Sequence, residues 1–171
     1  LEIVKFLVEK GANVHAKNDD ALRSAARNGH LEIVKHLAQK GANIHARSDQ
    51  ALRSAVYNGR FKIVKYIVGK GDDIHAQNNQ DLMAAAEYGH LSIVEYLVEQ
   101  GVDIHAHDDE ALIYAVLFGH IEVVKYLIRE GANIYARNNV LLRLAKQNNH
   151  CQVVKYLEEL QSKQRYKRIY Y

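Results

Sequence analysis

The stretch Asn28-Gly29-His30-Leu31-Glu32-Ile33-Val34-Lys35, followed by Lys40-Gly41-Ala42-Asn43-Ile44-His45-Ala46, decides how this chain folds. Its counterpart at the start of the chain shows why: Leu1, Ile3, Val4, Leu7 and Val8 recur at helical spacing, with Glu2, Lys5, Glu9 and Lys10 between them. Such a segment is an amphipathic helix with one face committed to a core. Lys5 and Glu9, four apart, read as a solvated pair on the other face, of little consequence for stability. Gly11 and Gly41 supply the left-handed residue on which helices commonly end, and the Asn13 position then turns the chain.

Glycine sets the register of everything around this stretch. It recurs at Gly11, Gly41, Gly71, Gly101 and Gly131, each thirty residues after the last, and again at Gly29, Gly59, Gly89 and Gly119. In the same phase run Leu22, Leu52, Leu82, Leu112 and Leu142, the alanines from Ala25 to Ala145, and the valines from Val4 to Val154. A period in this range signals stacked units, each able to bury its apolar face only against its neighbours. Every row adds a second, Ala-rich helix whose small side chains permit close packing. Its start is marked by Asn18-Asp19, Ser48-Asp49, Asn78-Asn79, Asp108-Asp109 and Asn138-Asn139, residue types that cap helices by accepting from unsatisfied N–H groups. The expected organisation is a half repeat at 1–16, repeats at 17–46, 47–76, 77–106 and 107–136, a closing repeat at 137–160 and a tail at 161–171.

The helix pair, the Gly-His dipeptides at His30, His90 and His120, and the Gly-Ala-Asn turn resemble the ankyrin repeat over residues 1 to about 160. Where that family reads Thr-Pro-Leu-His, this chain has Asp20-Ala21-Leu22-Arg23, and each row is about three residues shorter than the family's usual 33. The shortening falls in the β-turn finger, so the resemblance implies an all-α solenoid with short loops in place of projecting hairpins. The Pro-free, shortened rows are similar to ankyrin arrays encoded by giant amoeba-infecting viruses. The resemblance further implies a non-catalytic module that binds a partner protein through the concave face of its inner helices.

Composition agrees with a folded chain of this kind: 48% of the 171 residues are hydrophobic and 25% charged. A lone Cys151 excludes an internal disulfide, and no apolar run approaches the roughly 18 residues of a membrane span. The absence of a secretory leader makes the expected location intracellular and cytoplasmic, inside a host cell if the source is viral. Lys163, Arg165, Lys167 and Arg168 place four positive charges in the last eleven residues, leaving 19 basic against 20 acidic groups in residues 1–160. That tail keeps a second reading open, in which the chain binds an anionic surface, nucleic acid or membrane.

The chemistry-bearing residues fall into the same columns. His15, His45, His75 and His105 form one, and His30, His90, His120 and His150 another. Equivalent positions in stacked helices lie about 8–10 Å apart, too far to share one metal ion, so these imidazoles are expected to satisfy loop carbonyls and helix ends. The cluster His105, His107, Asp108, Asp109 and Glu110 mixes imidazole and carboxylate but sits where every other row places its helix cap. Cys151 occupies the column of Leu31 and Ile121 and reads as a small buried hydrophobe. Gly69-Lys70-Gly71 lacks the spacing of a phosphate loop. No catalytic residues, metal, cofactor or enzyme activity are expected. The aromatic column Phe6, Tyr66, Tyr96, Tyr126 and Tyr156, with His36 in its second place, is expected to cover seams between outer helices.

Both ends carry an expectation. The helix from Leu1 shows an apolar face without the polar changes of a terminal cap, so the natural chain is expected to extend upstream and to open first there. At the other end Gln161 stands in the glycine column, so the last helix is expected to run past Leu160 into 162–168.

Columns that change from row to row are where a partner is to be sought. The ends of the inner helices read Arg27-Asn28, Tyr57-Asn58, Glu87-Tyr88, Leu117-Phe118 and Gln147-Asn148, and the stretch Ala111 to Phe118 has no charge at all. The candidate partner-binding residues are Arg27, Tyr57, Glu87, Tyr88, Tyr114, Leu117 and Phe118, in a monomeric chain with a protein partner. Leu117 and Phe118 stand between two roles, exposed contact residues or extra core between rows.

Overall fold

The structure, a computed structural model, describes residues 1–71 and 79–170, apart from the side chains of residue 138 and residues 164–170. His75 and Asn78, and the side chains of Asn138, Arg165, Lys167 and Arg168, lie outside the described residues. The elements are all helical, with no strand among the described residues. The chain forms two compact units, Leu1–Ala76 and Gln77–Tyr171, which divide at the end of a thirty-residue row.

The first unit holds α1 (Glu2–Glu9), α2 (Ala16–Asn28), α3 (Leu31–Gln39), α4 (Ala46–Tyr57) and α5 (Phe61–Val68). The second holds α6 (Gln80–Glu87), α7 (Leu91–Glu99), α8 (Ala106–Leu117), α9 (Ile121–Arg129), α10 (Ala136–Gln147) and α11 (Cys151–Tyr170). In each unit a helix packs on its successor to make a pair: α2 on α3 and α4 on α5 in the first, α6 on α7, α8 on α9 and α10 on α11 in the second. Inner helices then pack on inner helices (α2 on α4, α6 on α8, α8 on α10), and outer on outer. The core lies between these two layers. Leu22, Val34, Leu52 and Val64 are fully buried in the first unit, and Leu82, Val94, Leu112 and Val124 in the second.

Stack ends break the columns in a way that follows from packing. Leu142 and Val154, last of their series, are only half-buried because no further pair stacks on them, whereas Leu141, facing the preceding row, is buried. At the other end α1 buries none of its residues, and Ile3 is 76% exposed. Lys5 there pairs with Glu2 at 3.2 Å, three residues back, rather than with Glu9 as the sequence spacing suggested. The last helix does run on, unbroken from Cys151 to Tyr170.

The shortened finger is built from two devices. Asn13, Asn43, Asp103 and Asn133 each accept, through Oδ1, the N–H two residues on, at 2.8–2.9 Å. This Asx turn explains the asparagine column. Three successive residues then adopt the left-handed conformation: Lys17, Asn18 and Asp19 have φ of 52°, 57° and 60°, and the same occurs at 47–49 and 107–109. That conformation costs an L-residue about 1–2 kcal/mol. The carbonyls it turns outward are collected by arginines. Arg23 donates from Nη2 to the Lys17 carbonyl at 3.0 Å and from Nε to that of Asn18 at 3.1 Å, and Arg53 donates to Arg47 at 3.2 Å. In the fourth row, where Ile113 replaces the arginine, Arg137 of the next row donates to the His107 carbonyl at 3.1 Å.

Candidate functional site

Two side-chain-to-backbone bonds, repeated from row to row, hold the inner helices in register and so position the candidate residues. The first involves the column read as helix caps. Buried Asp19 accepts through Oδ1 from Nδ1 of His15 at 3.0 Å and from the backbone N–H of Asn43, in the next row, at 3.0 Å. Asp109 repeats the pattern with His105 at 2.9 Å and Asn133 at 3.0 Å. The capping expectation is thus corrected: these two carboxylates join consecutive rows, because the left-handed residues turn them away from their own helix and toward the neighbouring turn.

The second bond comes from the other histidine column. Nε2–H of His120 donates to the carbonyl of Glu87 at 2.7 Å, and that of His150 to Leu117 at 2.8 Å. Both carbonyls end inner helices, where intrahelical partners run out. Arg60, in the histidine column, does the same for the Arg27 carbonyl through Nε at 3.1 Å. His120 and His150 therefore satisfy helix ends, as expected, whereas His15, His45 and His105 of the other column bond the carboxylates of Asp19, Asp49 and Asp109 in place of loop carbonyls. Gly119, at φ 78°, passes directly beneath the His150 ring, with no room for a Cβ.

The mixed cluster on α8 is likewise engaged in joining rows. Asp108 accepts from the backbone N–H of Arg137 at 3.2 Å, and Glu110 pairs with the Arg137 guanidinium at 3.1 Å. Among the described residues no three His, Cys, Asp or Glu side chains are grouped to hold a metal ion. Cys151 is exposed, which corrects the expectation of burial: the column starts each outer helix at its rim, where Leu31, Phe61, Leu91 and Ile121 are themselves only half-buried. Beside it opens a cleft of about 300 Å³ lined by Lys146, Asn149, Val154, Lys155 and Glu158, spanned by a Lys146–Glu158 ion pair at 2.7 Å.

These bonds fix where the candidate residues lie. In the first unit, Arg27 and Tyr57 stand at the ends of the adjacent helices α2 and α4; both are exposed, Tyr57 by 46%. In the second, Glu87 and Tyr88 close α6, while Tyr114, Leu117 and Phe118 close the helix packed beside it, α8. Tyr88 and Phe118 are 47% and 46% exposed, and Glu87, Tyr114 and Leu117 are half-buried. Tyr88 stacks on His90 with ring centroids 6.2 Å apart. The outer aromatic column behaves unevenly. Phe6 is exposed, but Tyr126 is buried beneath the Arg129 guanidinium, 5.1 Å from its ring. Burial pushes the Tyr126 hydroxyl pKa up, and the carboxylates of Glu130, Glu95 and Glu99 add to the shift.

Helix pairs stacked in two layers, with turns joined from row to row through backbone groups, define a helical-repeat protein. A family model for ankyrin repeats (3 copies) matches residues 1–78, 52–138 and 82–167, and the chain belongs to the ankyrin repeat family. No curated protein matches it. Ankyrin repeats are in general protein–protein interaction modules. No helix among the described residues is long and apolar enough to cross a membrane.

Proposed function

We propose that this chain is a non-catalytic module that binds a partner protein through the surface of its inner helices, using Arg27 and Tyr57 in the first unit and Glu87, Tyr88, Tyr114, Leu117 and Phe118 in the second. The observation that carries the reading is the exposure of Phe118, 46%, at the end of a helix whose Leu112, Ala115 and Val116 are wholly buried. Nearly half of that residue's surface is left to solvent, and large rings at partly desolvated positions are the usual anchors of interfaces. The array supplies a rigid support on which these positions vary without disturbing the core. The protein acts as a monomer, and no covalent step is involved.

The test is affinity capture from cell lysate, followed by direct measurement with the purified captured protein. Phe118→Ala and Tyr88→Ala are expected to weaken binding about tenfold or more while leaving the melting temperature nearly unchanged. Binding that is indifferent to both variants and disappears on removal of residues 161–171 would replace this reading with one based on the basic tail.

A further inference from the structure

The near-neutral sum of charge over the repeats conceals an uneven distribution, with a basic stretch on either side of an acidic one, since residues 125–160 carry six Lys and Arg against three Asp and Glu. Residues 1–76 carry 13 Lys and Arg against 8 Asp and Glu, whereas residues 77–124, which include α6, α7 and α8, carry nine Asp and Glu and no Lys or Arg. On α8 the positions Glu110, Ile113, Tyr114 and Leu117 follow helical spacing along one face, and Gln80, Met83, Ala84 and Glu87 hold the matching positions on α6. Opposite to this face, Leu82, Ala85, Leu112 and Ala115 are buried. Ile113 and Ala84 on this face are buried as well, so what α6 and α8 leave half-exposed is Met83, Tyr114 and Leu117, with the exposed rings of Tyr88 and Phe118 at one end and the carboxylates of Glu87 and Glu110 among them. Glu110 is engaged by Arg137, but Glu87 is half-buried and has no ion pair among the described residues. Arg143, exposed on α10, bounds the acidic surface on its far side.

A half-buried carboxylate beside exposed rings, in a stretch with no basic side chain, attracts a cation that also brings apolar surface. Resting on the binding-module reading above, we infer that the α6–α8 surface takes a cationic amphipathic segment of the partner. Its apolar side chains lie on Tyr114, Leu117 and Phe118, and a Lys or Arg reaches Glu87. An acidic segment is opposed by the like charge of Glu87, and a purely apolar one leaves that carboxylate partly desolvated without a partner.

The test uses a fluorescently labelled amphipathic Leu/Lys peptide and its Leu/Glu counterpart, titrated with the full chain and followed by anisotropy. The Leu/Lys peptide is expected to bind at least about tenfold tighter, with an affinity that falls as salt is raised. Glu87→Lys should weaken it about tenfold and Phe118→Ala similarly, with melting temperatures unchanged. Glu99→Lys on the outer helix α7 should change it less than about twofold. Equal losses for Glu87→Lys and Glu99→Lys, or equal binding of the two peptides, would overturn the inference. If Phe118→Ala weakens both peptides alike and Glu87→Lys weakens neither, the charge class fails while the binding surface stands. If no variant of α6 or α8 matters for these peptides or for the captured partner, both fall.

Discussion

Nε2 of His150 lies 2.8 Å from the carbonyl oxygen of Leu117, thirty-three residues earlier in the chain. Only the protonated nitrogen can serve a carbonyl, so this bond fixes the tautomer of the ring as well as the spacing of the last two rows. His150→Ala leaves a half-buried helix-end carbonyl unsatisfied and should cost about 1–2 kcal/mol. Urea unfolding measures the loss, and hydrogen exchange should show it concentrated in α10 and α11. An unchanged urea midpoint would mean that water replaces the imidazole without penalty.

Gly119 and Gly29 share a column and a left-handed backbone but not a neighbour. Above Gly119 sits the rigid imidazole of His150, whereas Gly29 faces the flexible side chain of Arg60. Both Gly→Ala changes carry the backbone penalty of about 1 kcal/mol. Gly119→Ala must in addition displace the ring and its bond. It should therefore lower the melting temperature distinctly more than Gly29→Ala, and equal shifts would refute the role given to the ring.

Asp109 is 4% exposed and holds both His105 and the turn of the next row. Asp109→Ala leaves the Asn133 N–H without its acceptor, an expected loss of about 1–3 kcal/mol. Asp109→Asn keeps an acceptor oxygen and should recover a good part of it, consistent with Asn79 and Asn139 standing in this column in other rows. Thermal unfolding of the two variants side by side decides the matter.

How legible this was in the sequence depends on where each residue's partner lies. The period, the two helices of each row and the core columns could be read because the partners of Leu22 or Val34 are determined by helical spacing and repetition. The work of Asp19 could not: its acceptor oxygen serves Asn43, and only the left-handed turn at residues 17–19 brings the two together. Arg60 breaks the histidine column in letters while keeping its bond, a replacement that guanidinium chemistry would have allowed one to foresee. Of the candidate binding residues, exposure could be argued from variation at Tyr57, Tyr88 and Phe118. The half-burial of Tyr114 and Leu117 depends on how closely α8 meets its neighbours.

His36 stands among aromatics, half-buried, with Nε2 lacking a hydrogen-bond partner among the described residues. His36→Tyr, the residue of four later rows, removes that unsatisfied nitrogen and should stabilise the first unit by about 0.5–2 kcal/mol. A lower melting temperature would show that the pocket around α3 does not admit a six-membered ring.

Cys151 should react with Ellman's reagent in the folded protein, completely and without denaturant, because the thiol is exposed at the start of α11. Labelling that awaits unfolding would return it to the buried class.

Four of the bonds that join one row to the next run from a side chain to a main-chain group: His120 to the carbonyl of Glu87, His150 to that of Leu117, Arg60 to that of Arg27, Asp19 to the amide of Asn43. A main-chain group is the same whatever residue bears it. At these four joints the neighbour meets a socket that is blind to sequence, and the ends of the inner helices are free to diverge there without a compensating change next door. Rows joined this way come close to interchangeable parts, so duplication, loss or exchange of a thirty-residue unit alters the face shown to a partner while joints of this kind still close.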